Sequence, residues 1–595
     1  MSGARPNPVA EPVAQWRRWL VLGLLSLGAA TVVGRAFQLQ VLERDFLRQE
    51  GNKRHIRTML IPAHRGAITD RRGEPLALSA PVESLWAVPS ALLDSPQHVT
   101  ALAKLLNKNP RAFEKFLTQR KDRKFVYISD PLPPADAQRA LSLKAPGVFS
   151  EPAYARYYPA GEVAGQIVGF TGRDGDGLEG IEKAQETLLS GKAGSRRVIR
   201  DRQGRVVDDT LESVAAASGK DVQLTIDLRI QYLAYRELKA AVAENKAKGG
   251  LIVVADSTTG EILAVASQPG FNPNNPPERR SSGTRNRAIV DSFEPGSTVK
   301  PLLVAQALEL GVYQPTSMID TTPGTYKVGA LTVRDVHPQG VVDLAKMLAK
   351  SSNVGAAKVG LTIGAESVWS GYQRFGLGEP VYSGFPGESN PLLRHYSEWG
   401  QIATATASYG YGLSVNALHL VRAYAALAND GLMPHLRLVQ NEQATPPQRA
   451  VSAQTARNVR KMLEGVVSPD GTGIRAAIPG YRVSAKTGTV RKVSETGGYH
   501  GDKHQSVFIG MVPAEHPRLV GLVMIDEPGA GAYYGGLVAG PVFSRVMQGA
   551  ARQLQIPPDD MPPPPPRTMA QPGTASPVQL AQHGTLPPPS PEQAR

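Results

Sequence analysis

Hydrophobic and polar positions follow three rhythms along these 595 residues, and each rhythm marks a region. Between Trp19 and Gly34 the chain is uncharged and largely apolar, with Arg17 and Arg18 immediately before it and Trp16 and Trp19 at its edge. Sixteen helical residues rise about 24 Å, short of the roughly 30 Å hydrocarbon core, but Arg35 can snorkel and let Ala36 to Leu39 extend the span. The pattern predicts a membrane helix over 19–39 behind a short segment, 1–18. A secretory signal peptide is the rival, because Gly28-Ala29-Ala30 has the small-x-small form of a cleavage site.

From 45 to about 215, short strand-like runs alternate with glycine and proline turns, interrupted by a lysine-rich stretch of helical pattern from Val99 to Phe116. No catalytic set is present there, and Gly175 to Gly180 is too irregular for a dinucleotide fingerprint and reads as a turn. Near Asp221 the rhythm changes: Ile226, Ile230, Leu233, Leu238 and Val242 recur at helical spacing. Leu251 to Ala255 and Glu261 to Ala266 flank the turn Ser257-Thr258-Thr259-Gly260 and predict a hairpin. Val507 to Val512 and Leu519 to Ile525, separated by the turn Pro513 to Arg518, predict a second hairpin beside an extended stretch at Tyr481 to Ala485. With helical runs at Val341 to Lys350 and Leu418 to Ala428, the fold class is α+β and multidomain. It comprises a single N-terminal transmembrane helix, a β-rich domain over 45–215, and a domain over 221–555 with a mixed antiparallel sheet flanked by helices. Past Ile556 the chain is polar and proline-rich, including Pro562 to Pro566, and cannot bury enough apolar surface to fold; 556–595 is predicted disordered.

Composition removes several function classes. The absence of cysteine excludes disulfides, zinc ribbons and thiol catalysis. A net charge of +14 favours anionic surfaces such as membrane lipid or wall polymer, and equally suits a solvated basic surface. No finger spacing or basic-aromatic module accompanies it, so nucleic acid is not an expected partner. His500, His504 and His516 have no metal-ligand spacing to a carboxylate set, so neither metal nor cofactor is expected. Gly471-Thr472-Gly473 resembles a phosphate-cradling fragment but lacks a following lysine-serine pair, and is read as shaping a loop under the site.

The candidate chemistry lies in three strings: Ser297-Thr298-Val299-Lys300, Ser351-Ser352-Asn353 and Lys486-Thr487-Gly488-Thr489. A lone S-x-x-K arises by chance roughly twice in a chain this long. Together, the three stand in the order and wide separation of the S-x-x-K, S-x-N and K-T-G elements of the active-site serine penicillin-recognising enzymes. On a helix, Ser297 and Lys300 share a face, so the lysine can reach the hydroxyl and act as its base. Lowering a lysine from about 10.4 to about 7 or 8 costs on the order of 4 kcal/mol, supplied by burial and by a second cation, for which Lys486 is the candidate. Lys486, Thr487, Gly488 and Thr489 would bind substrate, the two hydroxyls meeting a carboxylate. Ser351 would relay a proton to the leaving amine, and Asn353 would hold the substrate backbone. The oxyanion hole would be the backbone N–H groups of Ser297 and Thr489. Pro295-Gly296 reads as a turn, and Pro301 pins the following helix start close to Ser297.

Phe293-Glu294-Pro295-Gly296-Ser297-Thr298-Val299-Lys300-Pro301, Lys350-Ser351-Ser352-Asn353-Val354-Gly355 and Tyr533-Tyr534-Gly535-Gly536 carry a family resemblance, as do Arg65 to Gly73 and Arg156 to Gly161 upstream. Over most of 15–555 the chain resembles the class B penicillin-binding proteins and, within them, the septal cell-division subgroup of penicillin-binding protein 3 type. Ser352 departs from the generic S-D-N pattern, and the septal subgroup shares that departure. The resemblance implies an uncleaved single-pass anchor in the inner membrane, with the bulk of the chain periplasmic at the division septum. It also implies an elongated pedestal or dimerisation-type domain over 45–215 that lifts the catalytic domain from the bilayer. The implied activity is a peptidoglycan D,D-transpeptidase that cross-links stem peptides through a Ser297 acyl-enzyme and is inhibited by β-lactams. Its implied partners are a SEDS-type glycan polymerase and other divisome membrane proteins. The first alternative is a D,D-carboxypeptidase or β-lactamase-like serine hydrolase; no E-x-x-x-N stands between Asn353 and Lys486 to position a deacylating water as in class A lactamases. The second is a non-catalytic membrane-anchored division scaffold or β-lactam sensor.

Overall fold

A computed structural model describes residues 15–46, 56–172, 174–200, 206–208, 213–440, 445–493 and 498–559. Most of the predicted N-terminal segment (1–14) and of the predicted disordered tail (560–595) lies outside the described residues. Helix α1 (Gln15–Phe37) continues into a wider turn over Gln38–Leu42, and none of its residues is buried. At 28 residues and mean hydropathy 1.8 this segment is long and apolar enough to cross a membrane. An apolar helix with no protein surface against it is stable only where lipid replaces water.

The amino-terminal region is built on β1 (Ile56–Ile61), β2 (Ile68–Thr69), β3 (Pro75–Ala87), β4 (Val126–Tyr127), β5 (Val148–Tyr157), β6 (Gly194–Arg200), β7 (Val206–Asp208), β8 (Ser213–Val214) and β9 (Val222–Gln223). One sheet runs β4-β3-β2-β9 with β5 also on β3; a second joins β1, β6, β7 and β8. Helices α2 (Pro89–Leu93), α3 (Pro96–Leu105), α4 (Pro110–Thr118) and α5 (Pro134–Ser142) close a separate core around Leu85, Leu102, Phe113 and Ile128. The single helix expected over Val99 to Phe116 is therefore two. Asn107 turns left-handed at φ 53°, Pro110 cannot continue a helix, and the Asn109 side chain caps α4 by accepting from Ala112 N–H at 3.1 Å.

Both upstream signature strings converge in this region. Arg65 Nε and Arg156 Nε donate to opposite oxygens of Glu182 at 2.7 and 2.6 Å, and Arg65 also reaches Glu186 at 2.8 Å. Asp70 accepts from the N–H groups of Arg72 and Glu74 and, across the domain junction, from Leu228 N–H at 3.1 Å. That last bond fixes the start of α6 (Leu228–Glu244), the first helix of the catalytic half.

The catalytic half centres on a five-stranded sheet in the order β11-β10-β20-β19-β18, every neighbouring pair antiparallel. Its strands are β10 (Gly249–Asp256), β11 (Ile262–Gln268), β18 (Ser484–Val493), β19 (Tyr499–Val512) and β20 (Leu519–Asp526); short strands β12 (Met318–Asp320), β13 (Thr325–Val328), β14 (Leu331–Arg334), β15 (Val341–Asp343), β16 (Leu432–Met433) and β17 (Gln448–Arg449) form satellite ladders. Both predicted hairpins form, as β10–β11 and β19–β20, with β19 pairing the K-T-G strand β18. The strands read as unbroken apolar runs because both faces are covered. On one side lie α6 and α12 (Gly540–Gln553). On the other are α7 (Lys300–Glu309), α8 (Leu344–Lys350), α9 (Asn353–Ile363), α10 (Ala417–Ala428) and α11 (Ala453–Glu464). The helix expected over Val341 to Lys350 begins only at Leu344. Val341 and Val342 pair with β12 instead, and Asp343 caps α8 by accepting from Lys346 N–H at 2.7 Å.

Candidate active site

The turn that carries Ser297 is set by two backbone constraints. Gly296 has φ +53°, and a Cβ there would lie 2.6 Å from Val490 Cγ2 on β18. Pro301 sits in the first turn of α7, so a single 3₁₀ turn, Gly296–Val299, carries Ser297 into the helix. Tyr424 of α10 donates to Thr298 C=O at 2.8 Å and holds that turn from behind. β18 closes over it: a Cβ at Gly488 would meet Thr298 Cγ2 at 3.0 Å, so this position of the K-T-G string needs glycine for the approach.

Lys300 and Lys486 are both fully buried, and they converge on one hydroxyl. Lys300 Nζ lies 3.3 Å from Ser351 Oγ and donates to Ser351 C=O and Asn353 Oδ1, both at 2.7 Å. Lys486 Nζ approaches the same Oγ at 2.9 Å and donates to Thr487 C=O at 3.1 Å. Ser351 owes its position to a left-handed backbone, φ 59° and ψ 41°, which ends α8 and turns the chain into α9. A serine held there stores strain of about 1–3 kcal/mol.

Burial pushes Lys300 down to about 7, with Asp335 opposing the shift. Lys486 is pushed well below the ordinary lysine range, first by burial and then by repulsion from Lys300. Burial is the first cause at both lysines, and the repulsion between them, which acts on each, adds to it. The two ammonium groups share one hydroxyl and titrate as a pair. Lys300 makes no hydrogen bond to Ser297 in this state, its donors being spent on Ser351 and Asn353. Catalytic hydrogen bonds commonly tighten only when substrate arrives.

Two residues that the motifs did not point to complete the cleft. Asp335, just past β14, accepts from Ser352 Oγ and Asn353 N–H, both at 2.6 Å, and from Val354 N–H at 2.9 Å. Its carboxylate therefore sits on the N-terminus of α9, where helix geometry favours an anion, while Ser352 caps Gly355 N–H at 2.8 Å. Asn353 is gripped from two sides, by Lys300 at Oδ1 and through Nδ2 by Arg334 C=O at 3.1 Å. Thr472, in the Gly471–Gly473 loop, lies with Oγ1 2.8 Å from Thr487 Oγ1. Thr489 Oγ1 accepts from Gly535 N–H at 3.1 Å, leaving its own proton for a ligand. A Cβ at Gly535 would fall 2.2 Å from Val507 C=O, so the Tyr533–Gly536 string is shaped by this contact. Of the sequence-predicted set, Lys300, Ser351, Asn353 and Lys486 are joined by hydrogen bonds, Thr487 and Thr489 follow on the same edge strand, and Ser297 stands on the adjoining turn. A serine hydroxyl beside buried lysines of depressed pKa, with edge-strand hydroxyls opposite, is equipped for acyl transfer through a serine ester.

Comparison with known proteins gives the same direction. Residues 250–548 match the penicillin-binding protein transpeptidase domain and 60–224 the penicillin-binding protein dimerisation domain. The chain is similar to the peptidoglycan D,D-transpeptidase FtsI of Escherichia coli strain K12, at 39% identity over 91% of this chain and 93% of that one. Among solved structures it is similar to the transpeptidase domain of Burkholderia pseudomallei penicillin-binding protein 3 (41% identity, TM-score 0.52, 57% of this chain and 98% of that one). It is also similar to penicillin-binding protein 3 of Mycobacterium tuberculosis in complex with aztreonam (27% identity, TM-score 0.66, 84% and 98%).

Proposed function

This chain belongs to the class B penicillin-binding proteins of type 3, serine D,D-transpeptidases of peptidoglycan, and from that premise we propose how its residues divide the reaction. Ser297 Oγ attacks the penultimate D-alanine carbonyl of a donor stem and gives its proton to Lys300 in the neutral form. The N–H groups of Ser297 and Thr489 hold the oxyanion. Ser351 passes the proton onward to the departing D-alanine amine, leaving an ester on Ser297. An amine of a second stem then attacks that ester and regenerates the serine. Lys486, Thr487 and Thr489, on a strand that Gly488 lets approach, hold the donor carboxylate, and Asn353 aligns the peptide. β-Lactams enter the same route and stop at the ester. The observation that carries this assignment is Ser351 Oγ lying between two buried lysine ammonium groups at 3.3 and 2.9 Å.

Intact mass after penicillin treatment tests it: one adduct, on the peptide containing Ser297, is expected, and the adduct should persist. Release within seconds would move the assignment to a hydrolase.

The α1 segment supports a single-pass anchor over 19–39 in the inner membrane. On this reading 221–555 works in the periplasm at the septum, 45–215 is the pedestal on which a SEDS-type polymerase and other division proteins dock, and 556–595 is a tail. Surface substitutions on the pedestal should impair localisation while purified acylation survives; loss of acylation as well would remove the docking role.

A further inference from the structure

We propose that the helical head of the amino-terminal region, α2–α5 with the turn after α4, lies on the membrane surface and binds anionic lipid headgroups, an inference that rests on the α1 anchor and not on the assignment of the active site. Between Pro96 and Phe125 the chain carries eight lysines and arginines against two acids, a net +6 out of +14 for all 595 residues. Two of these cations are occupied. Lys108 Nζ donates to Ile128 C=O at 2.7 Å above the Phe113 ring, and the Arg120 guanidinium lies 4.1 Å from the centre of the Phe116 ring. The side chains of the other six make no hydrogen bond or ion pair among the described residues. Arg111 and Lys115 stand one turn apart on α4, opposite the buried Phe113 and Leu117, where like charges repel. The turn that follows adds four cations within Arg120 to Lys124 and delivers Phe125 beside them, 42% exposed. A face that only kept the protein soluble would intersperse the two signs and cover its aromatic ring. Unpaired cations with an exposed ring at their edge match a surface of anionic headgroups.

The fold places this head on the anchor side of the molecule. β3 leaves the domain junction where Ala77 pairs with Ile68 and runs to Ala87, about 33 Å at 3.3 Å per residue. The head hangs from that far end, where Val88 N–H donates to Gly147 C=O at 2.8 Å. Two contacts with the chain that arrives from α1 fix the direction. Ser79 Oγ donates to Arg65 C=O at 3.1 Å, and the His64 ring meets that of Tyr154, the register partner of Pro81, at 5.3 Å between centroids. Stepping from Arg65 back towards β1 and α1 is therefore stepping from Ser79 along β3 towards Ala87. The head lies on the membrane side of the junction and the catalytic half on the other. Because α1 already holds the chain at the bilayer, the effective concentration of lipid at the head is high and a modest intrinsic affinity suffices. The contact gives the elongated region a second foothold, which sets the tilt at which the catalytic half is presented.

Full-length protein would be reconstituted in vesicles of phosphatidylcholine alone or mixed about 3:1 with phosphatidylglycerol, carrying a fluorophore on Gln119→Cys, a unique label because the chain has no cysteine. Quenching by a lipid with a nitroxide headgroup reads the distance of the head from the bilayer. It should be about threefold stronger in the anionic vesicles at ~0.05 M salt and fall to the neutral-vesicle level at ~0.5 M. Arg111→Glu with Lys115→Glu should remove the lipid dependence, as should Lys121→Gln with Lys124→Gln independently. Melting temperature and penicillin acylation should match the parent's in both variants, since these side chains have no partner to lose. Equal quenching in both vesicles, or quenching indifferent to the substitutions, overturns lipid docking and leaves the transpeptidase reading intact. Quenching that is absent with lipid, while soluble peptidoglycan strands alter the emission of the label, overturns it too and transfers the face to wall polymer. Full-length protein that does not stay with the vesicles removes the anchor, and the docking with it.

Discussion

Arg65 and Arg156 of the amino-terminal region close on the buried Glu182 at 2.7 and 2.6 Å, whereas Lys300 and Lys486, buried at least as deeply in the catalytic half, face no carboxylate within ion-pairing distance among the described residues. The first arrangement compensates each charge where it lies and serves to join two distant strings of sequence. The second leaves its charges without an ion pair, Asp335 acting on Lys300 only from beyond that distance, and the free energy appears as depressed lysine pKa values rather than as stability. Two buried cation clusters in one chain thus differ in purpose: a paired cluster fixes geometry, and an unpaired one holds reactivity.

The comparison can be broken most directly at Ser297, the proposed nucleophile. Ser297→Ala should abolish acylation by penicillin, a loss of at least about 10⁴-fold, with a melting temperature close to the parent's. Next in size, Lys300→Met should slow acylation by about 10³-fold yet raise stability by about 1–2 kcal/mol, because an uncompensated buried ammonium is replaced by an apolar chain of similar length. A Lys300→Met protein that melts lower than its parent would contradict the account of the unpaired cluster.

Glu182→Gln should do the reverse. It leaves Arg156 without its carboxylate and Arg65 with Glu186 alone, and should cost about 3–5 kcal/mol in denaturant unfolding, while protein that remains folded still acylates. The pH profile sharpens the contrast further. Lys300 must be neutral to act, so acylation should fall about tenfold per unit as pH drops below about 7. Because its folded pKa lies below the unfolded value, the folded state binds fewer protons, and Lys300 should subtract stability as pH falls from the ordinary lysine range towards 7. Smallest is Asp335→Asn, expected to slow acylation about tenfold and cost about 1–2 kcal/mol, since the amide can accept from only part of the Ser352, Asn353 and Val354 donor set. Wild-type acylation by that variant would reduce Asp335 to an ordinary cap.

Much of the catalytic half is legible in the linear order. The β10–β11 and β19–β20 hairpins are local, and alternating apolar runs with short turns announce them. Pro295, Gly296 and Pro301 likewise announce the turn at Ser297. Legibility ends where a contact joins distant positions without a pattern of its own. Asp335 precedes Ser352 by 17 residues and Thr472 precedes Thr487 by 15, so neither belongs to a motif. The Val99 to Phe116 stretch misleads for a different reason: its apolar spacing is helical on both sides of Pro110, and only the proline and the Asn109 cap divide it.

Sequence alone determined the residue types of the site, the anchor and the strand pairings next to the K-T-G string, because covalent spacing, φ restriction and apolar periodicity act over a few residues. Tertiary structure decided which lysine meets which acceptor, that both ammonium groups are buried around one hydroxyl, and that burial depresses the pKa of each. Those outcomes depend on the local dielectric and on contacts between segments tens to hundreds of residues apart, and both exist only once the chain has closed around the cleft.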